Sequence, residues 1–169
     1  MDHGIYNVKN IKTIMGTDGL AYNATLYRDK KRVATLMNSG SGGETSIHWL
    51  DHKKPRVEVK NKVKDKVYTF NGTPEEKLLY DYVNTLPNEP CEYFKEGLEV
   101  SVDYFVGDLV EETDENNRFK RMCKKKTLVR MKEGDRNLSV FNIPYDPNSK
   151  KMILKEYPDA FEFINEKYL

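Results

Sequence analysis

The chain has 169 residues, of which 38% are hydrophobic and 33% charged. Lysine and arginine (28) almost balance aspartate and glutamate (27), leaving a formal charge of +1. That balance excludes both a strongly basic nucleic-acid packaging protein and an acidic nucleic-acid mimic. No apolar run approaches the ~20 residues of a membrane helix. The two cysteines, Cys91 and Cys123, lie far apart and in no Cys-x-x-Cys pattern, which excludes a zinc ribbon and predicts two reduced thiols rather than a disulfide scaffold. Met1-Asp2-His3-Gly4 lacks the basic-then-apolar pattern of a secretion signal. A cytoplasmic location, with no membrane partner, is the expectation.

Residues 5–15 mix β-branched and polar side chains and predict a first strand, ending at the turn Gly16-Thr17-Asp18-Gly19. In residues 20–27, Leu20, Tyr22, Ala24 and Leu26 alternate with more polar neighbours, the period of a half-buried strand. After the charged turn Arg28–Lys31, residues 32–37 are apolar on both faces, which predicts a central strand. Asn38-Ser39-Gly40-Ser41-Gly42-Gly43 is a loop, and residues 44–50 place Thr45, Ile47 and Trp49 on one side of the next strand. Residues 56–70 alternate valines with lysines and predict an edge or one-sided antiparallel strand.

Asn71-Gly72 reads as a turn. Thr73-Pro74-Glu75-Glu76 then carries an N-cap, a proline at the first helical position and the glutamate of a capping box. A helix over 74–86 follows, ended by Pro87. Residues 88–97 read as a connector. Residues 98–112 fit a helix or a strand, and the acidic continuation from Asp108 to Glu115 favours the helix. Residues 127–132 and 138–143 flank the loop 133–137 as a hairpin. Short helices are predicted over 150–157 and 159–168.

Strands and helices are therefore segregated, which predicts an α+β fold: an antiparallel N-terminal β-meander packed by a helix, then a helix, a β-hairpin and short C-terminal helices. The expected lobes are 1–70 (meander) and 71–169 (α+β), sharing one core.

The candidate chemistry is sparse. The Gly40–Gly43 loop leads into a strand and lacks the lysine and helix of a phosphate cradle. His48 and His52 on an extended strand would stand about 13 Å apart, too far for one metal, and nothing in the sequence places His3 beside them. Cys123 sits among Arg121, Lys124, Lys125 and Lys126, an environment that lowers a thiol pKa. No catalytic set, cofactor site or metal site is predicted. The lysine-rich segments Lys53–Lys66 and Arg118–Lys132 offer a basic surface, with Trp49, Tyr68 or Phe119 available for base stacking.

Two stretches carry a resemblance. Gly16-Thr17-Asp18-Gly19 through Leu26-Tyr27-Arg28-Asp29, Val33-Ala34-Thr35 and Ser39–Glu44 resemble the N-terminal pattern of small proteins of bacteriophages and mobile elements. Lys124–Lys132, Pro144-Tyr145 and Lys155–Glu166 resemble their C-terminal part. The resemblance implies a phage-type accessory protein that docks on a host protein or protein–nucleic-acid complex in the host cytoplasm and inhibits a defence or nucleic-acid-processing system. Direct nucleic-acid binding through the lysines is the alternative, and a nucleotide-acting enzyme the weaker one. The expected contacts are Gly40, Ser41, Gly42, Trp49, Lys62, Lys64, Arg121, Lys124, Lys125 and Lys126, since aromatic and cationic side chains dominate such interfaces.

Overall fold

The computed structural model describes residues 1–64, 66–135 and 137–169. The fold is α+β, with an N-terminal antiparallel meander. The chain divides into two compact units, Met1–Thr113 and Asp114–Leu169. The division falls inside a helix rather than at residue 70.

In the first unit, β1 (Tyr6–Met15), β2 (Leu20–Arg28), β3 (Lys31–Asn38) and β4 (Ser46–Trp49) form one antiparallel sheet in sequence order. Alternation puts Tyr22, Ala24 and Leu26 into the core. In β3 the neighbours Val33 and Ala34 are both buried, because Leu26 pairs with Ala34 while Tyr27 pairs with Arg32. Val33 is the extra residue of a bulge, so the apolar pattern on both faces reflects a shift of register as well as a central position.

β5 (Val57–Val63) and β6 (Lys66–Gly72) pair with each other alone. The single strand predicted over 56–70 is thus a two-stranded ribbon, whose Asp65 lies outside the described residues. Asn71-Gly72 ends β6 instead of forming a separate turn. A side chain at Gly72 would meet Val59 Cγ2 at 2.6 Å and Glu76 Oε2 at 2.5 Å, so the strand closes tightly onto the helix that follows.

That helix, α1 (Pro74–Val83), starts at the predicted capping box: Thr73 Oγ1 accepts from the Glu76 N–H, and Glu76 Oε2 accepts from the Thr73 N–H. It ends earlier than predicted, at the C-cap Asn84. Leu79 and Val83 pack among meander side chains. The predicted connector contains a small hairpin, β7 (Glu89–Cys91) with β8 (Phe94–Leu98). Pro90 sits at the register irregularity between the pairs Glu89–Leu98 and Cys91–Phe94, where no ladder donor is needed.

Residues 98–112 resolve toward helix, as α2 (Val102–Cys123). Val102, Phe105, Val106, Leu109 and Val110 recur at helical spacing and are all buried.

In the second unit, β9 (Thr127–Arg130) and β10 (Ser139–Phe141) form the predicted hairpin, with Arg136 of its loop outside the described residues. α3 (Pro147–Glu156) is capped by Asp146. The helix predicted over 159–168 is instead β11 (Glu162–Phe163) followed by α4 (Asn165–Tyr168). The Phe161 N–H donates to the Arg130 carbonyl and the Ile164 N–H to the Leu128 carbonyl, so pairing with β9 overrides local helical preference. No described helix is long and apolar enough to cross a membrane.

Candidate docking surface

Directly opposed residues of an antiparallel pair share a face. On the β5–β6 ribbon, one face therefore carries Lys60 with Thr69 and Lys62 with Val67, and the other carries Val59 with Phe70 and Asn61 with Tyr68. The apolar face is anchored at its base, where Val59 is fully buried and Phe70 meets Tyr80 edge-on at 5.2 Å. Farther out the ribbon leaves Val67 (60% exposed) and Tyr68 (53%) in solvent. β7–β8 adds Tyr93 (81%) and Phe94 (59%). Lys62, Lys64, Tyr93, Phe94 and Lys95 line one cleft of about 950 Å³ between the two ribbons. Exposed aromatic side chains beside lysines make a surface able to take a macromolecular partner.

The outer edge of β5 is already occupied. Asn84 Nδ2 donates to the Lys60 carbonyl at 2.7 Å, and the Lys62 N–H donates to Asn84 Oδ1 at 3.1 Å. The Lys64 N–H donates to Glu99 Oε1 at 2.7 Å. The Asn84 side chain thus takes the place of a neighbouring strand beside Lys60 and Lys62, and Glu99 holds the residue just past the strand end.

The other predicted contacts have different surroundings. Gly40 is buried and its φ is +67°. Its N–H donates to Asn38 Oδ1 and its carbonyl accepts from the Asp18 N–H, each at 2.8 Å. The glycine loop is therefore a latch onto the Gly16–Gly19 turn, with the Gly40 amide already engaged. Ser41 and Gly42 remain exposed, while Trp49 is half-buried and packs against the meander core. Arg121, Lys124 and Lys125 are exposed and Lys126 is half-buried. They belong to the second unit, whereas Lys62 and Lys64 belong to the first.

The expected activation of Cys123 is reversed. Its side chain is buried, and burial pushes the thiol up from its ordinary value. The lysines around it in sequence do not change that direction, because the end of α2 turns Cys123 into a core cluster with Leu128 and Ile164. His48 is exposed on β4, and His52 Nδ1 meets the Trp49 carbonyl at 3.1 Å.

Sequence reasoning missed two clusters. Glu75, buried at the start of α1, accepts from Arg28 Nε at 3.0 Å, from Arg28 Nη2 at 3.2 Å and from Lys31 Nζ. Burial alone would raise its carboxyl, but those hydrogen bonds and charges outweigh it and hold Glu75 below the usual range. His3 sits between two carboxylates of α2, with Nε2 3.0 Å from Asp108 Oδ2 and Nδ1 3.3 Å from Glu112 Oε2. The three offer ligand atoms within 4.8 Å of one another, yet each ring nitrogen already faces a carboxylate, so the contacts clasp the N-terminal segment to α2. The i, i+4 spacing of Asp108 and Glu112 was visible in sequence; the partner some hundred residues away was not.

No family model matches this chain, and no curated protein or solved structure is similar to it.

Proposed function

We propose that the chain is an accessory binding protein of phage type, which docks on a host macromolecule in the host cytoplasm and inhibits a defence or nucleic-acid-processing complex. The observation that carries binding is the pair of ribbons in the first unit, where Val67, Tyr68, Tyr93 and Phe94 stand in solvent beside Lys62, Lys64 and Lys95. Apolar side chains of this size in water favour burial by a partner. The phage assignment rests on the resemblance of the Gly16–Glu44 and Lys124–Glu166 stretches.

The test is capture from host lysate with the wild-type chain and with the double variant Tyr68→Ala/Tyr93→Ala, followed by an activity assay of the captured complex. A partner that is held and inhibited by wild type, and lost by a variant that melts like wild type, supports the reading. Equal capture by both, or a captured complex that stays fully active, overturns it.

A second reading, direct nucleic-acid binding, is favoured by Lys60 and Lys62 sharing one ribbon face. Its signature is an affinity for single- or double-stranded DNA that falls steeply with salt as counterions are released. Absence of binding at low salt removes it.

A further inference from the structure

Exposed strand edges invite pairing, and folded proteins guard them with bulges, prolines, short strands or covering groups. In the first unit most edges are guarded. β1 breaks its register between Lys9 and Lys12, with Asn10 at φ +55°. β4 has four residues, and β7 has three with Pro90 among them. β5 is covered along its middle, where Asn84 bonds Lys60 and Lys62, and Glu99 holds Lys64 just beyond its end. β6 has no bulge, proline or covering group, and of the charged side chains that also guard edges it carries only Lys66, at its first residue. It has seven residues, no proline and an unbroken register from Gly72 to Lys66. Each residue from Lys66 to Asn71 is exposed, and β5 is its sole strand neighbour among the described residues.

The direction of its free groups follows from the bonds on the far side. Lys60 and Lys62 turn their backbone groups outward to Asn84. In an antiparallel ladder the residues opposite such positions also turn outward, on the other side. Thr69 opposes Lys60, Val67 opposes Lys62 and Asn71 opposes Glu58. Their N–H and C=O groups therefore form the open edge.

We infer that the outer edge of β6 is a strand-addition site for an extended segment of a partner protein in which acidic residues alternate with apolar ones. The inference rests on the docking reading above and names the mode and the chemistry of the partner. An added strand continues both faces of the ribbon. On one face its side chains lie beside Thr69 and Val67, which are small enough for Lys60 and Lys62 to reach across to carboxylates. On the other face they lie beside Tyr68 and Phe70, where apolar groups are favoured, with Lys66 at the end of that row.

The probe is a synthetic peptide as long as β6 that alternates glutamate with valine, followed by fluorescence anisotropy and by hydrogen exchange of the ribbon amides. Binding with new protection at the Val67 and Thr69 amides is expected. A peptide N-methylated at alternate amides and the variant Thr69→Pro should each bind about tenfold more weakly or worse, since each removes ladder hydrogen bonds. Proline is compatible here because the Thr69 N–H takes no part in pairing with β5. Lys60→Glu/Lys62→Glu should lose the acidic peptide and gain a lysine–valine one. Circular dichroism establishes that each variant is folded.

No peptide binding at millimolar concentration, binding untouched by N-methylation and Thr69→Pro, or a self-dimer dissolved by Thr69→Pro overturns the inference. A host partner whose capture survives Thr69→Pro overturns strand addition and leaves the docking reading standing. Peptide binding at this edge without inhibition of any captured host complex removes that reading and supports the edge.

Discussion

Replacing Asn165 should unfasten the second unit. The side chain is fully buried and joins three backbone groups: Oδ1 accepts from the Leu128 N–H at 2.8 Å, and Nδ2 donates to the carbonyls of Lys126 at 2.8 Å and Cys123 at 3.4 Å. Asn165→Leu nearly preserves volume but leaves the Leu128 N–H buried without a partner and the part-buried Lys126 carbonyl without its own. The longer Cys123 contact adds little. Each orphaned group costs ~1–3 kcal/mol, and the added apolar burial returns about 1 kcal/mol, so the net loss is about 3 kcal/mol. A unit of this length, at ~0.05–0.15 kcal/mol per residue, holds only a few kcal/mol in total. Asn165→Asp separates the two halves of the bond set. It keeps the acceptor for Leu128 but turns oxygen lone pairs toward the carbonyls unless it is protonated. Its folded carboxyl pKa is then raised above the unfolded value. The variant should match wild type most closely below about pH 4 and fall behind as pH rises through the folded value. Urea unfolding followed by circular dichroism, with exchange of the Leu128 amide, measures both effects. A cost below about 1 kcal/mol for Asn165→Leu, or a deficit of Asn165→Asp that does not change with pH, refutes this account of the bonding.

Glu75 gives the opposite pH sign. Its carboxyl is held below the ordinary range, so its stabilisation is present above the unfolded value near 4.3 and lost as pH falls through the folded one. Glu75→Gln should cost about 1–3 kcal/mol at pH 7, less than a sealed pair would, because Lys31 can turn to water. The stability curves of the variant and wild type should converge in acid. Gly40→Ala should cost about 2 kcal/mol or more by thermal melting, since φ is +67° and the new Cβ would stand 2.7 Å from the Ala21 nitrogen and 2.9 Å from the Gly19 oxygen. Gly42→Ala should cost less, because its nearest obstacle is the movable Asp18 carboxylate. In native alkylation with iodoacetamide read by mass spectrometry, the half-buried Cys91 should react well before the buried Cys123, and unfolding should remove the difference.

What was legible in the sequence was what local chemistry decides. Thr73 and Glu76 announce the start of α1 because both halves of a capping box lie within one turn. The alternation of Tyr22, Ala24 and Leu26 fixes the inner face of β2. What was not legible depends on contacts made at long range. Residues 159–168 have a helical pattern, but β9 offers Glu162 and Phe163 a ladder, and only the remainder coils. The lysines beside Cys123 suggested an activated thiol, yet the turn after α2 sends the charges outward and the sulfur inward. Of the candidate contacts, Lys62 and Lys64 line the cleft between the ribbons, while the glycine loop lost Gly40 to a latch. β6 was hidden inside a single predicted strand because residues 64–66 include neither glycine nor proline.

Asn84 performs two tasks with one residue. Its backbone N–H closes the last turn of α1 on Tyr80 and Tyr82, while its carboxamide imitates a peptide group against Lys60 and Lys62. Fraying of the helix end therefore withdraws the amide from the ribbon in the same event, which makes the end of α1 and the edge of β5 a single cooperative opening unit. The Lys62 amide should then exchange with solvent in step with the amides of the last helical turn. A mutation aimed at helix length would alter which side of the ribbon offers itself to other chains.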